Sequence, residues 1–139
     1  MENHETALRF FNPLVPELDV TDIDKTLWFY CDIIGFKVEY ARKEHRFAFL
    51  SYGKAQLMVE QYSGNWETGA LTYPFGRGMN LQIFVPDLAA IEDRLLQAEV
   101  PLFRDKRENT YVKDGVALKM LELLVQDPDG YLLRFSQHM

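Results

Sequence analysis

The sequence predicts an α+β fold of two βαβββ repeats forming a curved mixed sheet, and three observations carry that expectation. The passage Val20-Thr21-Asp22-Ile23 recurs in chemistry and place as Val85-Pro86-Asp87-Leu88. Each passage follows a run of alternating apolar residues and precedes a stripe at helical spacing, then three strand-like runs. Between the copies, residues 63–76, SGNWETGALTYPFG, carry the glycines, proline and polar residues of a linker.

The first copy, residues 14–62, begins with LVPELDV. Leu14, Pro16, Leu18 and Val20 alternate with Val15, Glu17 and Asp19, the pattern of a half-buried strand, and Pro16 places it near an edge or a strand start. Thr21 or Asp22 then caps a helix whose Ile23, Leu27, Tyr30, Cys31 and Ile34 recur in register until Gly35 stops it. Strands are expected over 36–42, 47–52 and 56–62, the last two joined around Gly53.

The second copy, residues 77–137, opens on GMNLQIFV, with Met79, Leu81, Ile83 and Val85 facing one way and Asn80, Gln82 and Phe84 the other. Leu88, Ile91, Leu95 and Ala98 give the helix, and strands follow over 101–107, 117–126 and 131–137, with Asp127 to Gly130 as the last turn. Apolar strand faces under the helices leave the opposite faces to form a groove holding the polar residues that the alternation sends there.

Composition limits what such a groove binds. A chain of 139 residues, 47% of them apolar, is one domain's worth of core, with residues 1–13 left as a tail. A formal charge of −6 and a pI near 5.0 argue against a nucleic-acid backbone as partner and for a cationic or amphipathic one. Cys31 alone excludes an internal disulfide or a multi-thiolate zinc site. No apolar run approaches the ~20 residues of a membrane span, and MENHETALRFFNP lacks the basic and apolar regions of a secretory signal, so a cytoplasmic protein is expected.

VTDIDKTLWFYCDIIGF, VPDLAAIEDRL and DPDGYLLRF, in this order and spacing, resemble the vicinal oxygen chelate superfamily, which includes glyoxalase I, extradiol dioxygenases and the bleomycin resistance proteins. The resemblance spans about Leu14 to Gln137. It implies the paired βαβββ fold and, in the enzymes, a divalent metal held by one residue from the first and last strand of each copy. Those positions fall here on Val15, on one of Leu57, Met58 or Glu60, on Asn80 and on Arg134. A guanidinium has no lone pair for a metal. No metal, no cofactor and no catalytic residue is therefore expected.

Among the metal-free members, YGKAQLMVEQY and DPDGYLLRFSQ are similar to bleomycin resistance proteins, which hold a bulky cationic glycopeptide in the grooves of a dimer without turnover. That family's tryptophan on the penultimate strand is missing from VALKMLELLVQ. The resemblance implies a homodimer that sequesters a small molecule, a bleomycin-type or other cationic compound. The alternatives are a metal-dependent lyase, isomerase or dioxygenase, and a scaffold with an empty groove.

The candidate ligand-binding residues are Phe47, Glu60, Trp66, Asn80, Gln82, Glu122 and Arg134. Each has a plainer role: Trp66 pins the linker, Phe47 or Phe49 packs the core, and Glu122 or Glu60 pairs with a basic neighbour, Arg134 being the natural partner of Glu122. His4, His45 and His138 lie in the tails and a hairpin, with no nucleophile pattern around them. Phe75 to Gly78 reads as a turn and not as a phosphate loop.

Overall fold

The computed structural model describes residues 10–139; His4 and the first nine residues of the expected tail lie outside them. The chain divides into two compact units, the first ending at Leu71 and the second running from Thr72 to Met139.

The first unit contains β1 (Glu17–Val20), α1 (Ile23–Leu27) continued by a π-helical segment (Trp28–Ile34), β2 (Lys37–Arg42), a 3₁₀ turn (Lys43–His45), β3 (Phe47–Tyr52) and β4 (Ala55–Gln61). Its sheet has the order β1-β4-β3-β2, with β1 parallel to β4 and the other pairs antiparallel. The second unit repeats the plan with β5 (Asn80–Phe84), α2 (Leu88–Gln97), β6 (Arg104–Lys113), β7 (Val116–Gln126) and β8 (Leu132–His138). Its order is β5-β8-β7-β6, with β5 parallel to β8. Two four-stranded mixed sheets, each with a helix, are the expected pair of βαβββ units.

Each helix starts in the same way. Asp22 Oδ1 accepts from the amides of Asp24 (3.0 Å) and Lys25 (3.3 Å), and Asp87 Oδ1 from that of Ala90 (3.2 Å), so both aspartates satisfy orphan donors of a first turn. A glutamine at the end of each unit's last strand adds a second tie: Gln61 Oε1 accepts from Ile23 N at 3.1 Å and Gln137 Oε1 from Leu88 N at 2.7 Å.

The buried stripe of the first helix differs from the expected one. Thr26, Phe29, Tyr30, Ile33 and Ile34 are buried, whereas Ile23, Leu27 and Cys31 are only partly covered. Residues 27–34 are apolar or aromatic except for Asp32, so spacing leaves the phase open there, and the π-helical turns of Trp28–Ile34 depart from the 3.6-residue register that the spacing assumes. Gly35 ends the segment at φ 109°, a left-handed conformation that glycine adopts without a Cβ penalty.

The other displaced element is β6, expected over 101–107 and found over Arg104–Lys113. Asp114 and Gly115 both have positive φ, 52° and 79°, and this Asp-Gly turn folds β6 back on β7. The result is a long hairpin that brings residues 107–111 beside β7. The strand expected from Leu14 starts at Glu17, after Pro16, whose missing N–H suits a strand start.

Candidate functional site

Glu122 organises the polar face of the second sheet. It is 1% exposed and sits on β7 between Arg107 of β6 and Ser136 of β8 in register. A buried carboxylate must be hydrogen-bonded, and this one is fully supplied. Oε1 accepts from the Tyr111 hydroxyl and from Asn109 Nδ2 (2.9 Å). Oε2 accepts from the Ser136 hydroxyl and, at 3.4 Å, from Gln82 Nε2. Arg134 Nη1 stands 3.7 Å from Oε2.

Burial would raise the pKa of Glu122, but the bonds from Ser136, Tyr111 and Asn109 and the charge of Arg134 outweigh it and hold the carboxyl below its ordinary value. The same contact raises Tyr111, whose proton the carboxylate holds.

Arg134 is held by neutral oxygens as well: Nε donates to Asn80 Oδ1 and Nη2 to Gln82 Oε1, both at 3.2 Å. The β7–β8 turn puts it there. Asp127 Oδ1 accepts from the amides of Asp129 (2.9 Å) and Tyr131 (3.0 Å), which fixes where β8 starts and which of its residues face Glu122. Of the expected candidates, Asn80, Gln82, Glu122 and Arg134 thus form one network. Asn109, Tyr111 and Ser136 join it unforeseen; the Asp-Gly turn signal in VKDGVA would have placed the first two.

The corresponding face of the first sheet is acidic. Register sets Asp19 beside Glu60 and Glu17 beside Met58. Desolvation, then a hydrogen bond and charge from Glu67, then the charges of Glu60 and Glu17, push Asp19 up to about 6. Burial and Glu60 raise Glu17 against the lowering effect of Arg42. Trp66, 60% exposed, donates its indole N–H to Glu60 Oε1 at 3.2 Å, so Glu60 and Trp66 are brought together. Phe47 lies opposite Glu60 in the sheet but is buried, with the Arg42 guanidinium 4.7 Å above its ring. A cleft of about 630 Å³ also opens between the start of α1 and the β2–β3 turn, where Ile23, Leu27, Lys43 and Arg46 line it.

Register also narrows which residues stand at the four positions that the resemblance implies for a metal. Gln61 and Gln137 play one role in the two units, as do Val20 and Val85 at the entry to each helix. Counting back three residues from each glutamine equates Met58 with Arg134; β4 accordingly sets Met58 beside Glu17, and β8 sets Arg134 beside Gln82. Glu60 then corresponds to Ser136 and is not the strand's metal position. The set is Val15, Met58, Asn80 and Arg134: a hydrocarbon, a thioether, a carboxamide and a guanidinium. These do not fit a catalytic divalent ion, which takes imidazole and carboxylate donors. Among the described residues no group of three His, Cys, Asp or Glu side chains is placed to hold a metal.

Two βαβββ units, each with a helix on one sheet face and a polar cluster on the other, define the class as the paired-module fold that serves metal enzymes and binding proteins alike. The chain belongs to the Glyoxalase/Bleomycin resistance protein/Dioxygenase superfamily, whose family profile matches residues 12–135. It is 33% identical over 129 residues to a probable lactoylglutathione lyase of a Synechocystis species, covering 85% of this chain and 88% of that protein. Solved structures share the fold: a virulence protein of Salmonella typhimurium at TM-score 0.68 and 22% identity, covering 94% of this chain and 99% of that one, and TioX of a Micromonospora species at 0.71 and 20%, covering 93% and 100%. No helix among the described residues is long and apolar enough to cross a membrane.

Proposed function

We propose that this protein binds a small cationic or amphipathic molecule without a metal and without turnover, and sequesters it. The observation that carries this reading is the register that sets Met58, and not Glu60, at the place of Arg134. With Glu60 released from that role, the acidic face of the first unit supplies Glu17, Asp19 and Glu60 for a positive group. Trp66, exposed and tied to Glu60, supplies a ring for an aromatic one. Asn80, Gln82, Glu122 and Arg134 are the polar contacts of the second unit, and Phe47 backs the first. The working form is a cytoplasmic homodimer, in which terminal strands such as β1 or β6 gain partners.

A second reading, a metal-dependent lyase, is favoured by the 33% identity to a protein named as a probable lactoylglutathione lyase. One experiment separates them. The purified protein, before and after incubation with Ni, Zn or Mn, is subjected to elemental analysis and assayed on lactoylglutathione, and bleomycin-type glycopeptides and planar cations are titrated against tryptophan fluorescence. The proposal expects no stoichiometric metal, no turnover and saturable binding of a cation. About one metal per chain, with an activity that chelation abolishes, overturns it. Light scattering tests the assembly, and a monomer at micromolar concentration removes the dimer.

A further inference from the structure

Glu122 and Arg134 face each other, yet neither uses up the other's hydrogen bonds. Both Glu122 oxygens receive two neutral donors, from Tyr111 and Asn109 on one and from Ser136 and Gln82 on the other. A carboxylate with about four lone-pair sites is then filled, and Arg134 Nη1 stays at 3.7 Å, beyond hydrogen-bond length. Of the five guanidinium N–H groups, one on Nε and one on Nη2 go to the oxygens of Asn80 and Gln82. A further N–H is directed at the Tyr111 hydroxyl, which the guanidinium hydrogen-bonds, so two protons remain on a side chain that is 28% exposed.

Asn80 adds a donor. Its oxygen accepts from Arg134 Nε, which orients the exposed carboxamide so that Nδ2 carries its two protons elsewhere. The network therefore locks a cation in place through neutral partners and leaves its outer edge open beside an amide donor.

We propose that Arg134 and Asn80 anchor a singly charged carboxylate group of a small molecule on the polar face of the second unit. A planar carboxylate matches two guanidinium protons in a fork. Glu122 balances the charge of Arg134 within 4 Å, so a monoanion is held mainly by directed hydrogen bonds, and a dianion meets more repulsion. This rests on the metal-free binding reading above and adds a second ligand chemistry to it.

The test is titration of the intact protein with acetate and, separately, with inorganic phosphate, followed by the Arg134 Nε–H resonance and by calorimetry. Acetate is expected to saturate and to bind more tightly than phosphate. Arg134→Lys, which keeps the charge but loses the fork, is expected to weaken acetate at least tenfold. Asn80→Ala, at an exposed position, should weaken it three- to tenfold with an unchanged melting temperature, and Leu96→Ala, at an exposed position of α2 outside both sites, should leave it unaltered. Absence of saturable acetate binding, equal affinity in Arg134→Lys, or tighter phosphate binding each overturns the proposal. Cation binding retained without acetate binding refutes this anchor alone, whereas stoichiometric metal with turnover refutes the reading beneath it.

Discussion

Arg134 Nη1 lies 3.7 Å from Glu122 Oε2 although Leu124, not Glu122, is the direct β7 partner of Arg134. The two charges meet diagonally across the pair of strands, and Gln82 bridges them by accepting from Arg134 and donating toward Glu122. Removal of either charge leaves the other with its neutral partners but without its counter-charge.

Glu122→Gln is expected to destabilise the protein by roughly 1 to 3 kcal/mol at pH 7, because the new amide NH2 faces donors that then lose their acceptor. The folded-state pKa of Glu122 lies below its ordinary value. Its contribution is thus fully present above that ordinary value and is lost as pH falls through the folded one. Urea denaturation of both proteins from pH 7 downward should show the deficit narrowing only at acidic pH.

Asp19 gives the opposite sign. Its pKa stands at about 6 against an ordinary 3.8, so between those values the folded protein holds more protons than the unfolded chain and its contribution falls as pH rises. Asp19→Asn should gain in melting temperature relative to wild type between pH 4 and pH 7.

The same proton governs the proposed cation site. Below about pH 6 Asp19 is protonated and its face is less negative. The affinity for a cation should increase from pH 5 to pH 7, by up to about tenfold per unit below the pKa if one proton is displaced. Titrations at fixed ionic strength check this; an affinity that falls over that range contradicts the acidic-face assignment.

Trp66→Ala should weaken binding of an aromatic cation roughly threefold to tenfold, corresponding to about 0.5 to 1.5 kcal/mol for stacking. Thermal stability should change little, because the ring is 60% exposed. Fluorescence then reports through Trp28 alone, so calorimetry is the better measurement.

Gly130→Ala should destabilise the second unit by roughly 1 to 3 kcal/mol. Gly130 has φ 95° and a Cβ there would lie 2.5 Å from Pro74 Cβ and 2.6 Å from Pro74 Cα. The loss of the β7–β8 turn would also loosen Arg134, detectable as faster amide exchange in β8.

The sequence by itself determined the pair of βαβββ units, because strand alternation and the repeated Val-x-Asp passage are local signals written along the chain. It also placed Arg134 four residues after the turn glycine Gly130, where the family resemblance implies the last metal ligand. The phase of the first helix was not legible, because residues 27–34 are apolar or aromatic except for Asp32 and the segment Trp28–Ile34 is π-helical, off the 3.6-residue register. The place of Met58 was decided only by tertiary structure: register is a property of strand pairing, and the two helix-capping glutamines that reveal it act across sequence separations of 38 and 49 residues. The extent of β6 was readable in Asp114-Gly115, but the convergence of Asn109, Tyr111 and Ser136 on Glu122 was not, since three strands must align before a buried carboxylate finds its donors.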